Sequence, residues 1–174
     1  MLATNTSRLE ALLGDAGTIA AEVLDPLAPR IDAEASWPQE AFAALADAGL
    51  LGLQVPQRLG GHGQGLYGLA RITELLGRSC ASTAMCYGMH CVGTAVIAAK
   101  ASREQEERYL RPIAQGRHVT SLALSEAGTG SLFFIPETRA HADGDAYVLR
   151  GRKQFVTNGG HADSYVVSTR ASGD

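Results

Sequence analysis

The sequence predicts an α+β chain, with an all-α segment over residues 1–117 and an incomplete antiparallel β-domain over residues 118–174. Three observations predict it. Up to about residue 117, apolar residues recur at about 3.6-residue spacing. From about His118 the spacing shifts toward simple alternation, the mark of strands. The two patterns are segregated and never alternate, which argues for two abutting units and against a doubly wound sheet.

The first helix is carried by Leu9, Leu12, Leu13, Ala16, Ile19, Ala20, Val23, Leu24 and Leu27. Pro26 and Pro29 are expected to end it, because each lacks an N–H donor. Ser36 and Pro38 suit the start of a second helix, which carries Phe42 and Leu45 and closes at Gly49. The Gly-rich loop Pro56–Gly65 is not a dinucleotide fingerprint, since a helix and no strand precedes it. A third helix is expected over Leu66–Gly77. A fourth, Ala81–Lys100, is apolar on nearly every side and is expected to be buried all round, with His90 a hydrogen-bonded core residue. Ser102-Arg-Glu-Gln105 fits a capping box opening a fifth helix, which Pro112 and Gly116 close. Strands follow at Val119–Ser125, at Thr138–Ala142 and Ala146–Arg150 (a hairpin turning on Gly144), at Gln154–Thr157 and at Ser164–Thr169. The last runs almost to Asp174, so the β-domain reads as cut within a domain.

Composition bounds the function. Apolar residues make up 45% of the 174 and charged residues 19%, which is a folded, soluble chain and not a disordered one. A formal net charge of -3 gives no electrostatic case for nucleic acid or for an anionic membrane as partner. No apolar run reaches the length of a membrane span. The opening residues lack a basic region followed by an apolar one, so no secretory signal is read. Cys80, Cys86 and Cys91 match neither a zinc spacing nor a disulfide framework. They are read as reduced core residues of a cytoplasmic protein, and no metal site is expected.

The chemistry is expected between Leu122 and Asn158. The run Leu122–Ser131 reads as a strand entering a tight turn, where Gly128 and Gly130 permit close backbone approach. Ser125, Thr129 and Ser131 set hydroxyls beside exposed N–H groups, a corner suited to an anion or the polar edge of a ring. In the run Lys153–Asn158, Phe155 and Thr157 would share one strand face and Val156 the other. On the segments alone, an ordinary turn and an ordinary strand account for both equally well.

Taken together, these runs resemble those of the acyl-CoA dehydrogenase family. Leu124-Ser-Glu-Ala-Gly-Thr-Gly-Ser131 is similar to its T-E-P-x-A-G-S region, and Gly151-Arg-Lys-Gln-Phe-Val-Thr-Asn-Gly-Gly160 to its G-x-K-x-[WF]-[IV]-T-N-G strand. Gly49-Leu-Leu-Gly-Leu-Gln-Val-Pro56, Glu74-Leu-Leu-Gly77 and Arg108-Tyr-Leu-Arg-Pro112 support the match in the family's order. The resemblance implies FAD as cofactor, with a wall running from Leu122 and Leu124 to Ser131. Ser125 would bond the pyrimidine side of the flavin and Gly130 and Ser131 would lie near its pyrophosphate. Phe155 would pack on the ring, beside Val156, and Thr157 would bond near N5. Ser131 would also touch the acyl-thioester substrate.

It further implies oxidation of an acyl-CoA or acyl-carrier-protein thioester to its α,β-unsaturated form, with hydride passing to flavin N5. Electrons then go to a separate acceptor, a flavoprotein or O₂, and the intact protein is a homo-oligomer. No catalytic residue is assigned within the chain. Glu126 reads as a structural turn residue, and Glu74 and Glu104 as solvated charges. The base is expected beyond residue 174, leaving this chain inactive alone. Two departures stand out: Ala127 replaces the usual Pro, and apolar Leu132-Phe-Phe follows Ser131. A flavin monooxygenase of the same fold and a non-catalytic partner subunit are the alternative readings.

Overall fold

The computed structural model describes residues 2–171, with side chains from residue 6 onward. The expectation about the chain end at Asp174 lies outside the described residues. Helix α1 (Leu2–Ile19) does not stop at the prolines. It passes through a π turn at Ala20–Leu24 into α2 (Asp25–Glu34). The turn is closed by Asp25 N–H donating to the Ala20 carbonyl. Pro26 has no N–H, and its ring crowds the carbonyl one turn back. Widening the coil just ahead of it shifts the hydrogen-bond ladder to where that donor is not needed.

The fifth helix repeats the solution. α6 (Arg103–Gln105), a π turn at Glu106–Leu110 and α7 (Arg111–Ala114) run on through Pro112, with Arg111 N–H donating to Glu106. Pro112 therefore does not close the helix. Gly116 follows it in the left-handed region at φ 71°. The Ser102–Gln105 capping box is present in both directions.

Helix α3 (Gln39–Asp47) begins at Pro38 with no side-chain cap, so Ser36 does not cap it. Ser36 lies two residues too early, its N–H held by Ile31 at the end of α2. Gly49, at φ 72°, turns the chain out of α3 as expected. α4 (Gly65–Ser79) and α5 (Ala81–Lys100) follow and pack on each other. Leu12, Ile19, Leu24, Phe42, Leu45, Leu50, Leu51, Ile72, Leu76 and Tyr87 form the main core.

Helix α5 is not buried all round. Its inward face carries Thr83, Tyr87, His90, Cys91 and Thr94, while Met85 is 61% exposed and Val96 46%. Its polar groups point inward because each finds a partner there. Tyr87 donates to the Leu50 carbonyl at 2.9 Å, and Thr94 to the His90 carbonyl at 2.8 Å. Uniform apolar composition carries no direction, and the partners of the polar side chains supply it. An open apolar groove of about 430 Å³ lies between α4 and α5, lined by Leu69, Ala84, Met85 and Met89 among others.

His90 holds the two halves of the molecule together. Its Nε2 donates to the Leu51 carbonyl at 3.0 Å and its Nδ1 accepts from Thr120 N–H at 3.1 Å. A carbonyl only accepts and an amide only donates, so the ring is the neutral Nε2–H tautomer. Burial lowers its pKa to about 4.

The strands are β1 (Thr120–Ala123), β2 (Arg139–Asp143), β3 (Ala146–Arg150), β4 (Ser164–Val167) and β5 (Arg170–Ala171). The α+β division is as expected, but the pairing is mixed. β2 and β3 form the expected antiparallel hairpin, whereas β1–β4 and β2–β5 pair parallel. Strands joined by long excursions are free to pair in that sense, which a tight turn forbids. β1 lies against α5, which fixes the sheet edge over the helical layer. Residues Gln154–Thr157 form no strand.

Candidate functional site

Two runs far apart in sequence lie side by side. Gln154 N–H donates to the Ser125 carbonyl at 2.8 Å, and Lys153 Nζ to the Leu124 carbonyl at 3.2 Å. At the other end, Ser121 Oγ donates to the Thr157 carbonyl. Residues 121–125 and 153–157 therefore run past each other in opposite directions. Leu122, Leu124, Ser125, Val156 and Thr157 all lie along this seam. Gly130 (φ 50°) and Ser131 sit beyond it in a series of exposed turns, where Leu132 N–H donates to Thr129. No hydrogen bond among the described residues ties them to the second run. The Ser125, Ser131 and Thr157 hydroxyls have no partner among the described residues.

The seam is set by a buried ion pair. The Glu126 carboxylate meets Lys153 Nζ at 2.7 Å and accepts from Thr138 N–H at 3.0 Å, from the Thr138 hydroxyl and from Glu137 N–H. Burial pushes its pKa up, but the bonds from Lys153, Thr138 and Glu137 outweigh it and hold the carboxyl at about 2. Lys153 also donates to Ser168 Oγ at 3.0 Å. One charged pair thus joins the first run, the second run, the entry to β2 and the exit of β4. Glu126 is occupied structurally and is not placed for proton transfer.

Phe155 departs from its expected place. Alternation predicts that it shares a strand face with Thr157, but its φ is 53°, in the left-handed region, and it is 93% exposed. The segment is held from two sides. Lys153 and Gln154 are bonded to the first run, and Asn158 (φ 63°) is anchored in the helical layer. Trp37 Nε1 donates to Asn158 Oδ1 at 2.9 Å, and Asn158 Nδ2 donates to the Cys86 carbonyl of α5 at 2.9 Å. Between such anchors the chain turns instead of extending. A bulky residue in this region costs roughly 1–2 kcal/mol.

Residues 6–117 match the profile described as "Acyl-CoA dehydrogenase, N-terminal domain", and residues 121–174 that of the middle domain. The chain belongs to the acyl-CoA dehydrogenase family. It is 39% identical over 150 residues to cyclohex-1-ene-1-carbonyl-CoA dehydrogenase of Geobacter metallireducens, covering 86% of this chain and 40% of that protein. It is 33% identical to the mitochondrial short-chain specific acyl-CoA dehydrogenase of Homo sapiens, covering 90% of this chain and 38% of that one. Among solved structures, it is similar to an acyl-CoA dehydrogenase complexed with FAD from Bacillus anthracis. That match has a TM-score of 0.85 and 27% identity, covering 97% of this chain and 29% of that chain. This acyl-CoA dehydrogenase family chain spans about two fifths of the length of the curated relatives it matches.

Sequence reasoning missed three residues that shape the site. Lys153 stood inside the quoted motif without a role. Neither the local pattern around Asn158 nor that around Trp37, the single tryptophan, signals their bond. A lone Trp ahead of a Pro-initiated helix singles out the residue but not its partner. Leu132, Phe133, Phe134 and Ile135 are all exposed beside Ser131, with the two phenyl rings edge to face at 5.7 Å. No helix of the described residues is long and apolar enough to cross a membrane.

Proposed function

We propose that this chain supplies the flavin-facing wall of an FAD-dependent acyl-thioester dehydrogenase that forms an α,β double bond. The observation that carries the reading is the seam joining Ser125 to Gln154, with the exposed Phe155 ring held beside it by a left-handed backbone. A planar, polar-edged cofactor needs an apolar face and unsatisfied donors at its rim, and the seam offers both. Leu122, Leu124, Ser125, Phe155, Val156 and Thr157 would hold the ring system, and Gly130 and Ser131 the phosphate side, with Ser131 also facing the thioester. Bound there, FAD would accept the substrate's β-hydrogen as hydride.

The chain's own part is to bind and orient. The Ser125 and Thr157 hydroxyls, without partners among the described residues, would donate to the ring's rim, and the Phe155 ring would exclude water from one face. We divide the chain at residues 117 and 118, where the helical part ends after Gly116. We assign proton abstraction to a group outside these 174 residues, because Glu126 is consumed by its ion pair and Glu74 pairs with Arg78. The intact protein would be a cytoplasmic homo-oligomer that passes electrons to a separate acceptor.

The test is to titrate the purified chain with FAD, following quenching of flavin fluorescence, and to assay acyl-CoA oxidation with an artificial acceptor. The reading expects quenching that Phe155→Ala weakens, and no turnover. Turnover by this chain alone would refute the assignment of the base elsewhere. Quenching indifferent to Phe155 would refute the assignment of the wall.

A further inference from the structure

We propose that Trp37 and Asn158 are positioning residues that lock the second half of the flavin wall to the helical layer. The proposal rests on the reading of the seam as that wall. Asn158 follows Thr157 directly, is buried, and has both ends of its amide bonded to helical-layer groups. Its Oδ1 accepts from Trp37 Nε1, in the connection between α2 and α3, and its Nδ2 donates to the Cys86 carbonyl of α5, so two separate segments of the helical layer hold it. The Trp37 ring also stacks on His161 at 4.7 Å with 5° between the planes, and leans on Phe42 at 4.7 Å. Trp37 thus grips both ends of the turn that runs from Asn158 to His161.

Within that turn, His161 N–H and Ala162 N–H donate to the Asn158 carbonyl at 3.0 and 2.9 Å, and Gly159 N–H donates to Val156 at 2.9 Å. Fixing the Asn158 amide therefore fixes the backbone that carries Thr157 and, two residues earlier, the exposed Phe155. Only an indole N–H can make the Trp37 bond. A phenyl ring in its place would keep the packing on Phe42 and His161 but would leave a buried acceptor unpaired. Asn also suits the left-handed backbone, so its two roles coincide in one side chain.

The experiment uses the 174-residue chain with Trp37→Phe and Asn158→Asp. Asp keeps the acceptor for Trp37 and tolerates the left-handed backbone, but it loses the donor to Cys86. Hydrogen exchange at Gly159, His161 and Ala162 is expected to quicken about 5–30-fold in both variants, with α4 and α5 amides unchanged. FAD affinity, read by flavin quenching, is expected to weaken by a similar factor. Unchanged exchange in both variants overturns the proposal. Faster exchange with unchanged FAD affinity also overturns it, leaving only a structural tie. A wild-type chain that does not quench FAD removes the wall reading, and the proposal with it, before any variant is compared. If Trp37→Phe fails to fold, Asn158→Asp alone decides by the same two readouts.

Discussion

His90 gives the most direct handle on how the helical and β parts are joined. It is fully buried, its Nε2–H donates to Leu51, and its Nδ1 accepts from Thr120. Protonating Nδ1 would set a second N–H against the Thr120 amide inside the core. Burial therefore lowers the pKa from 6.5 to about 4. Between those values the unfolded chain binds a proton that the folded chain does not, so stability rises with pH across the window. The contribution is fully present above about pH 6.5 and is lost as pH falls toward 4. At about 1.4 kcal/mol per pH unit this amounts to about 3 kcal/mol. With a urea slope of about 2 kcal/mol/M, the midpoint should fall by about 1 M between about pH 7.5 and pH 4.5. His62 and His118, whose pKa values burial also lowers, add to the loss with the same sign. His90→Gln retains both of those groups, so the difference between the two pH profiles isolates His90. The variant should start less stable and decline less steeply. Parallel profiles, or a wild-type midpoint that does not move above pH 4.5, would refute the buried neutral tautomer.

Three further outcomes are expected. Lys153→Met strands the buried Glu126 charge and should cost about 3–5 kcal/mol in urea unfolding, whereas Lys153→Met with Glu126→Gln should cost less than the sum of the single changes. Gly151→Ala would place a Cβ 2.7 Å from the Thr138 Cα, and should therefore cost over 1 kcal/mol, read as a lower melting temperature. Phe155→Gly releases a left-handed backbone and removes a ring that buries little, so it should raise stability by up to about 1 kcal/mol while weakening FAD binding. Loss of both stability and binding in that variant would mean that the ring packs within the chain.

Part of the local chemistry is legible in the sequence because its signals are local. The left-handed turn at Gly130 and the hydroxyls of Ser125 and Thr157 follow from residue type, since a hydroxyl or a left-handed glycine means much the same in any context. The role of Lys153 was not readable, because it depends on Glu126, Thr138 and Ser168 arriving from three other segments. The departure at Phe155 has the same cause. Alternation argues for a strand only where both ends are free to extend, and here Gln154 and Asn158 are held by different layers.

The sequence by itself determined the segregation of helices from strands, the capping box at Ser102, the chain reversals at Gly49 and Gly144, and the hydrogen-bonded core role of His90. Each follows from periodicity, turn chemistry or the cost of burying an unpaired polar group. Tertiary structure alone decided that α5 turns its polar side inward, that β1 pairs parallel with β4, and that Phe155 stands out from the seam. These depend on which distant groups meet. The π turns at Ala20–Leu24 and Glu106–Leu110 fall between the two cases. Pro26 and Pro112 each forbid one bond of a regular helix, but core packing on both sides decides whether the helix stops or bulges and continues.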